Sequence, residues 1–377
     1  MADRIRVWFV LTSLGNIGGA ERVIYQTIAG LAPQRFEPVQ VLFYQIGDLG
    51  TQLAEKGIPT FTSLASSRKD LRLPFRLRRL AKQMRPDVVF TTESTLPLFW
   101  CGLLRRLGSL PAYVVAIHTT RRPDPKARLA FRMGMPVAAR IVALSPTHRE
   151  LWQQRTHLPA EKFAVIPNGT DVHRFREPED KRAVRRELGL PEDRLLVGVI
   201  TFFKAFKNLP LFVEVAHRVL SKGVPAHFVM VGDGPEKEAL VQNIQQRAIQ
   251  AHFSLPGLFL DPVKWHQALD VELLTSSSDE AFPVTLVEAH ACGVPVVATD
   301  IGGIRDIVVQ DETGFILPPG DAEGLTARVI ELLQNPDLRV RLGRQARARA
   351  VQEFSLEMMV QRYATLFEEV AIHSTRH

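Results

Sequence analysis

Short apolar runs alternate with longer amphipathic segments along almost the whole chain. In the first half the runs fall at 5–11 (IRVWFVL), 38–43, 87–90, 112–117, 140–143 and 163–166; in the second half they fall at 195–200, 226–231, 270–275 and 294–299. Most carry apolar residues at successive positions, as strands covered by helices on both faces must. Segments of helix length lie between them, among them 20–31, 208–222, 236–249 and 283–291. Such β-α alternation predicts parallel sheets with right-handed crossovers. A Pro/Asn/Gly-bearing and then charged stretch at 167–180 separates two such series. The expected fold class is therefore α/β: two doubly wound Rossmann-like domains facing across a cleft. The first spans 1–175 and the second 176–354, and 355–377 is a C-terminal helix crossing back to the first.

The 377 residues suit two domains, and 46% apolar with 23% charged residues excludes a disordered chain, a coiled coil or a fibre. No run approaches the roughly 20 apolar residues of a spanning helix. The 5–11 run leads straight into GNIGGAER with no small-residue cleavage site, so it reads as a first strand and not as a signal peptide. Cys101 and Cys292 are the two cysteines, too few for a disulfide framework or a cysteine-rich metal site. A reducing, cytoplasmic location is expected.

Charge is unevenly divided. Residues 1–175 hold 25 Lys and Arg against 12 Asp and Glu, a net of +13, whereas the remainder nets −6. The basic half is expected to meet an anion: nucleic acid, an anionic membrane surface or a phosphorylated substrate.

In open parallel sheets ligands bind at the carboxyl ends of strands, so the loops that follow strands carry the chemistry. Ser13–Glu21 joins the first strand to a helix, with Gly18 and Gly19 at the turn; exposed N–H groups there receive phosphate or carboxylate. A tight, well-packed turn explains the same glycines. VGDGP at 231–235 and Gly302–Gly303 are further strand–glycine–helix turns, and neither they nor the first complete the GxGxxG dinucleotide pattern. Three such turns favour a ligand with phosphates. Glu280 and Glu288 lie in SSSDEAFPVTLVEAHACGVPVV, with Pro283 suited to the first turn of a helix between them. Glu288 sits on a largely apolar helix and needs a partner there; sugar or ribose hydroxyls and a structural ion pair both qualify. Lys207 opens a helix, where a cation is out of place unless an anion sits beside it. His118 ends the apolar strand at 112–117, a structural or catalytic position. No metal-ligand spacing is found.

Taken together, GGAERVI (18–24), VIPNGTDVHRF (165–175), KN (207–208), VGDGP (231–235), SSSDEAFPVTLVEAHACGVPVVATDIGGIRDIV (276–308) and TGFILPPGD (313–321) resemble the retaining family-4 glycosyltransferases of the GT-B fold. The likeness runs nearly the whole chain, is densest over 195–325, and is most specific at 276–308. It implies transfer of a hexosyl unit from a nucleoside diphosphate sugar, a UDP- or GDP-sugar, with retained configuration, no metal and no other cofactor. By position it makes His118, Glu280 and Lys207 the catalytic residues. Glu280 contacts the donor sugar, Glu288 the ribose hydroxyls and Lys207 the diphosphate, and His118 lies near the reacting sugar. Gly18, Gly19, Lys204, Gly232, Phe282, Pro283 and Val284 complete the donor-binding set. The family's second diphosphate cation, an arginine five residues before the lysine, is Phe202 here, and Lys204 is the candidate replacement.

The resemblance places the acceptor, a glycan or lipid-linked molecule, on the first domain, in cell-surface polysaccharide or glycolipid synthesis. Segment 66–85 carries eight basic residues and one acid, with Leu73, Leu77, Leu80 and Met84 on one helical stripe. It reads either as a core-facing helix with a solvated basic face or as a dock for anionic lipid, the latter making the protein peripheral on the inner face of a membrane. A sugar-nucleotide-binding protein without transfer, motivated by Phe202, and a GT-B nucleotide-sugar epimerase remain alternatives. Nucleic-acid binding is not expected, since no recognised module is present.

Overall fold

The computed structural model describes residues 4–15, 18–67, 70–259 and 261–374. Asn16 and Ile17 of the first glycine loop, and Arg68 and Lys69 of the basic segment, lie outside the described residues. The chain divides into two compact units, Met1–Asn168 with Glu357–His377, and Gly169–Leu356.

The first unit is built on seven strands: β1 (Ile5–Leu11), β2 (Phe36–Leu42), β3 (Thr60–Phe61), β4 (Val88–Thr92), β5 (Tyr113–Ala116), β6 (Arg140–Ala143) and β7 (Phe163–Val165). All pair in parallel, in the order β3-β2-β1-β4-β5-β6-β7. The central strands β1, β4 and β5 are buried almost throughout, as strands covered on both faces must be. One face packs against the helices Leu73–Met84, Thr95–Arg106 and Arg128–Gly134, with Trp8, Val10, Val89 and Val115 facing Leu77, Leu98 and Cys101 in one core. The C-terminal helix Leu356–Ser374 supplies this unit with Tyr363 and Phe367, which meet Phe9 and Phe90 edge-on at 5.9–6.1 Å between ring centroids.

The second unit has six strands: β8 (Leu195–Ile200), β9 (Ala226–Val231), β10 (Phe253–Gly257), β11 (Val271–Leu274), β12 (Val296–Thr299) and β13 (Gly314–Leu317). These too are parallel, in the order β10-β9-β8-β11-β12-β13. Chain order reverses between β1 and β4 in the first sheet and between β8 and β11 in the second. A crevice opens at such a switch point, just beyond the carboxyl ends of the two strands. Both sheets are thus Rossmann-like and the α/β expectation holds.

The three strands that hydrophobic runs did not predict are all at sheet edges. β3 is two residues long, β10 contains Ser254 and Pro256, and β13 closes a loop motif. Pro256 is at home there, because an edge strand can forgo a ladder donor. Two helix starts also shift. Pro283 is the N-cap residue, extended at φ −67° and ψ 113°, and the helix runs Val284–Ala291. Lys207 ends a single 3-10 turn, and the helix after it begins at Leu209. Among the described residues no helix is long and apolar enough to cross a membrane.

Candidate functional site

In the second unit the switch point brings together the loop after β8, which carries Lys207, and the loop after β11, which carries Glu280. The two loops are laced. Ser277 N donates to Phe206 O at 2.8 Å, and Thr275 Oγ1 donates to Lys207 O and Asn208 O at 3.2 and 3.1 Å. Asn208, in the left-handed region at φ 48°, turns the chain into its helix. The result is an ion pair: Lys207 Nζ lies 2.6 Å from Glu280 Oε1, which also accepts from Ser276 Oγ at 2.5 Å. Glu280 is 5% exposed. The anion that a lysine at this position calls for is therefore Glu280. An ammonium has three donors, so Lys207 keeps capacity for a ligand oxygen.

Backbone packing fixes Glu280 from behind. Its carbonyl accepts from Gly303 N at 3.1 Å, and a Cβ on Gly302, at φ 55°, would stand 1.8 Å from that same oxygen. The Gly302–Gly303 turn is thus shaped around Glu280. Gly232 answers a packing requirement of the second unit. At φ 148° it lets the loop after β9 approach the loop after β8, where a Cβ would meet Thr201 O at 1.8 Å. Its N–H donates to Gly257 O at 2.8 Å, so that donor is already engaged.

Glu288 is 6% exposed on the helix Val284–Ala291, and its partner is His266. Nε2 of His266 lies 3.2 Å from Glu288 Oε2, while Nδ1 lies 2.9 Å from Glu272 Oε2; Thr285 Oγ1 donates to the other Glu272 oxygen at 2.6 Å. Burial alone favours the neutral ring, but the two carboxylates outweigh it and push His266 up to about 9. The imidazolium neutralises part of a buried acid pair, and the Glu288 carboxylate makes no other hydrogen bond among the described residues, which leaves its second oxygen without one. His266 and Glu272 were missed in the sequence. The one available signal was a glutamate inside the apolar run of β11, which cannot be buried there unpaired.

The remaining donor-side residues divide. Pro283 and Val284 begin the helix, which has no side-chain cap, so its first N–H groups are free to meet an anion. Phe282 is buried edge-on against Phe354, 5.4 Å between centroids, and serves packing. Lys204 is exposed, with its ammonium 5.2 Å from the centre of the Phe202 ring, which is itself 46% exposed. Lys204 is not part of the Lys207–Glu280 pair.

In the first unit the switch point is flanked by Gly18 after β1 and Glu93 after β4. Gly18 caps the helix Gly19–Gly30 with extended backbone at φ −148°, a conformation any residue adopts. Folding therefore does not demand glycine there, and the turn-only explanation weakens. His118, just past β5, donates its backbone N–H to Glu93 Oε1 at 3.2 Å. Among the described residues the other Glu93 oxygen, His118 Nε2 and Thr120 Oγ1 are buried without a hydrogen-bond partner. Burial pushes the Glu93 carboxyl up to about 7, against the pull of its backbone hydrogen bonds. Burial and the neighbouring His148 push His118 down to about 4, so the ring is neutral at pH 7. Unsatisfied buried polar atoms are uncommon in folded proteins, and here three fall together on the ends of adjacent strands. Glu93 was also missed in the sequence, where a lone acid after a four-residue apolar run gave little signal.

On the basic segment, Leu73 and Leu77 are buried in the core of the first unit, whereas Leu80 and Met84 are partly buried against it. The apolar stripe faces inward. Leu71 (78% exposed) and Phe75 (73% exposed) instead face solvent beside the arginines.

The family model for glycosyl transferases group 1 matches residues 180–349, and that for glycosyltransferase family 4 matches 17–174. The N-acetyl-alpha-D-glucosaminyl L-malate synthase of Bacillus anthracis is 26% identical over 80% of this chain and 79% of that protein. The UDP-Gal:alpha-D-GlcNAc-diphosphoundecaprenol alpha-1,3-galactosyltransferase of Escherichia coli is 23% identical over 95% of each. Among solved structures, Anabaena HepE in complex with UDP superposes with a TM-score of 0.84 at 22% identity, covering 97% of this chain and all of that one. The two matched segments leave little of either unit unaccounted for, and the chain belongs to the group 1, family-4 glycosyltransferases of the GT-B fold.

Proposed function

We propose that the protein moves a hexosyl unit from a UDP- or GDP-sugar to a glycan or lipid-linked acceptor, with retention at the anomeric carbon and without a metal. The observation that carries this is the Lys207–Glu280 pair at the switch point of the second unit. Breaking the sugar–phosphate bond leaves negative charge on the departing diphosphate. Lys207 and the uncapped N–H groups at Val284 are suited to meet it. Glu280, held by Lys207 and Ser276, orients the sugar, and Glu288, held by His266, takes the ribose hydroxyls. The acceptor hydroxyl attacks from the face the diphosphate leaves and gives its proton to a diphosphate oxygen, so no protein carboxylate has to act as nucleophile. Two carboxylates about 5 Å apart, the retaining-hydrolase arrangement, are not needed. On the first unit, neutral His118 and Glu93, whose carboxyl burial raises to about 7, offer hydrogen bonds to a hydroxyl-rich substrate.

The relatives named above support a nucleotide-sugar donor and, for the Escherichia coli enzyme, a lipid-diphosphate acceptor. Leu71 and Phe75 beside Arg72, Arg76, Arg78 and Arg79 favour a peripheral stance on anionic lipid, each cation contributing about 1 kcal/mol near such a surface. Vesicle co-sedimentation that ignores acidic lipid and salt would remove that part of the reading. A thermal-shift panel of UDP- and GDP-sugars tests the donor assignment: one base should raise Tm across several sugars, and no response to any donor would refute it. One observation favours a second reading, binding without transfer: Phe202 occupies the place of a diphosphate cation, and Lys204 lies over its ring.

A further inference from the structure

A cavity of about 790 Å³ lies within the first unit, between the helices Arg128–Gly134 and Pro146–Thr156. It is separate from the cluster at Glu93 and His118, and the reading above assigns it nothing. Its size is that of a small-molecule site. Part of the wall is apolar: Phe131 stacks on buried Trp152 with centroids 5.6 Å apart and planes at 17°, Leu151 and Leu158 continue it, and Gln154, Thr156 and His157 add polar groups. The rim is cationic, with Arg122, Arg128, Arg132 and Arg155, and no acidic side chain lines it. Asp124, on the adjoining loop, is engaged with Ala127 N at 2.8 Å. Arg122, Arg128 and Arg132 form no ion pair among the described residues.

Four guanidinium groups around a hollow whose partly buried wall includes Phe131, Leu151 and Leu158 are a costly arrangement for a solvated surface, since like charges repel. A ligand with a phosphate at one end and a hydrocarbon at the other satisfies both halves. Guanidinium forks match phosphate oxygens two at a time, and the partly buried Phe131, Leu151 and Leu158 offer apolar surface to the chain. We propose that this cavity binds the phosphate end of a lipid phosphate, with the first stretch of its hydrocarbon against Phe131, Leu151 and Leu158.

The cavity also touches the loop that carries His118. Trp152 Nε1 donates to Thr119 O at 2.9 Å, and Arg155 donates to Thr120 O and lies 5.3 Å from the centre of the Trp152 ring. Two wall residues thus hold the first and second carbonyls after His118. A lipid-linked acceptor carries this combination of groups where its chain meets phosphate. The binding proposal itself rests on the first unit alone, so it stands or falls independently of the transfer reaction.

Calorimetry on the full chain tests it with three probes: decyl phosphate below its micelle concentration, inorganic phosphate, and decyl maltoside. Decyl phosphate should bind one per chain, about tenfold or more tighter than either other probe. The double variant Arg128→Ser/Arg132→Ser, at two exposed positions, should lose at least that factor while keeping the wild-type Tm. Arg122→Ser, at another rim position, should act in the same direction. Equal binding of decyl maltoside, equal binding of inorganic phosphate, or unchanged affinity in the variants would each overturn the site. A further arm uses vesicles containing phosphatidic acid. If the double variant loses both vesicle and monomer binding, the ligand is a bilayer headgroup; if it loses monomer binding alone, the ligand is a single extracted lipid. Both results support the cavity.

Discussion

Lys207 Nζ lies 2.6 Å from Glu280 Oε1, and both side chains are largely withdrawn from water. The pair joins the exits of the two central strands, β8 and β11, so one change there disturbs both loops. Lys207→Ala leaves Glu280 with Ser276 as its remaining side-chain partner and removes the cation facing the leaving group. Glu280→Gln keeps the shape and removes the charge. Each should lower turnover on the order of a hundredfold, the scale of losing one preorganised electrostatic group. Release of nucleoside diphosphate in a coupled assay measures this, and near wild-type rates in both variants would contradict the assignment.

His266 gives the second unit a pH signature. Its folded-state value, about 9, is above the ordinary 6.5. The charged ring therefore stabilises the fold fully below about pH 6.5, and that contribution is lost as pH rises through 9. Wild type should lose stability relative to His266→Gln between those limits, read from urea midpoints. The same variant should raise KM for the donor more than it lowers kcat, because it frees Glu288 to turn away from the ribose. A stability difference flat across this window would show that His266 is not held charged.

Gly302 separates shape from charge. Its φ of 55° and the 1.8 Å approach of a Cβ to Glu280 O mean that Gly302→Ala must displace the Glu280 loop. Activity should fall about tenfold or more from misplacement alone, with the fold retained by circular dichroism. Unchanged activity would mean that the position of Glu280 is not critical.

Asp270 anchors the same unit away from the site. It accepts from buried Arg185 and from Leu196 N at 2.8 Å, and pairs with Lys181 at 3.3 Å. Asp270→Ala strands a buried guanidinium and should cost about 3–5 kcal/mol. Thermal unfolding should show the drop, whereas donor affinity measured well below Tm should hold.

The sequence was most legible where one physical requirement dominated. The interior strands announced themselves because burial on both faces demands unbroken apolar residues; β3, β10 and β13 did not, because an edge strand escapes that demand. Glu280, Glu288 and Lys207 stood out as charges placed where a fold alone would not put them. His266 and Glu272 stayed hidden because their meaning lies in each other, and nothing in WHQALDVE shows that the ring reaches two carboxylates. Glu93 and His118 meet only because β4 and β5 are neighbours. At Gly232 the strand–glycine turn suggested a phosphate contact, whereas what the fold displays there is a close approach to Thr201 and an N–H donated to Gly257 O.

The central claim is that the second unit binds a nucleoside diphosphate through Lys207. Calorimetric titration of UDP and GDP into wild type and Lys207→Ala measures it most directly. One of the two nucleotides should bind wild type at one site per chain, and the variant should bind it about tenfold or more weakly, as loss of a charged hydrogen-bond donor implies. Binding of neither nucleotide, or equal affinity in the two proteins, would contradict the account.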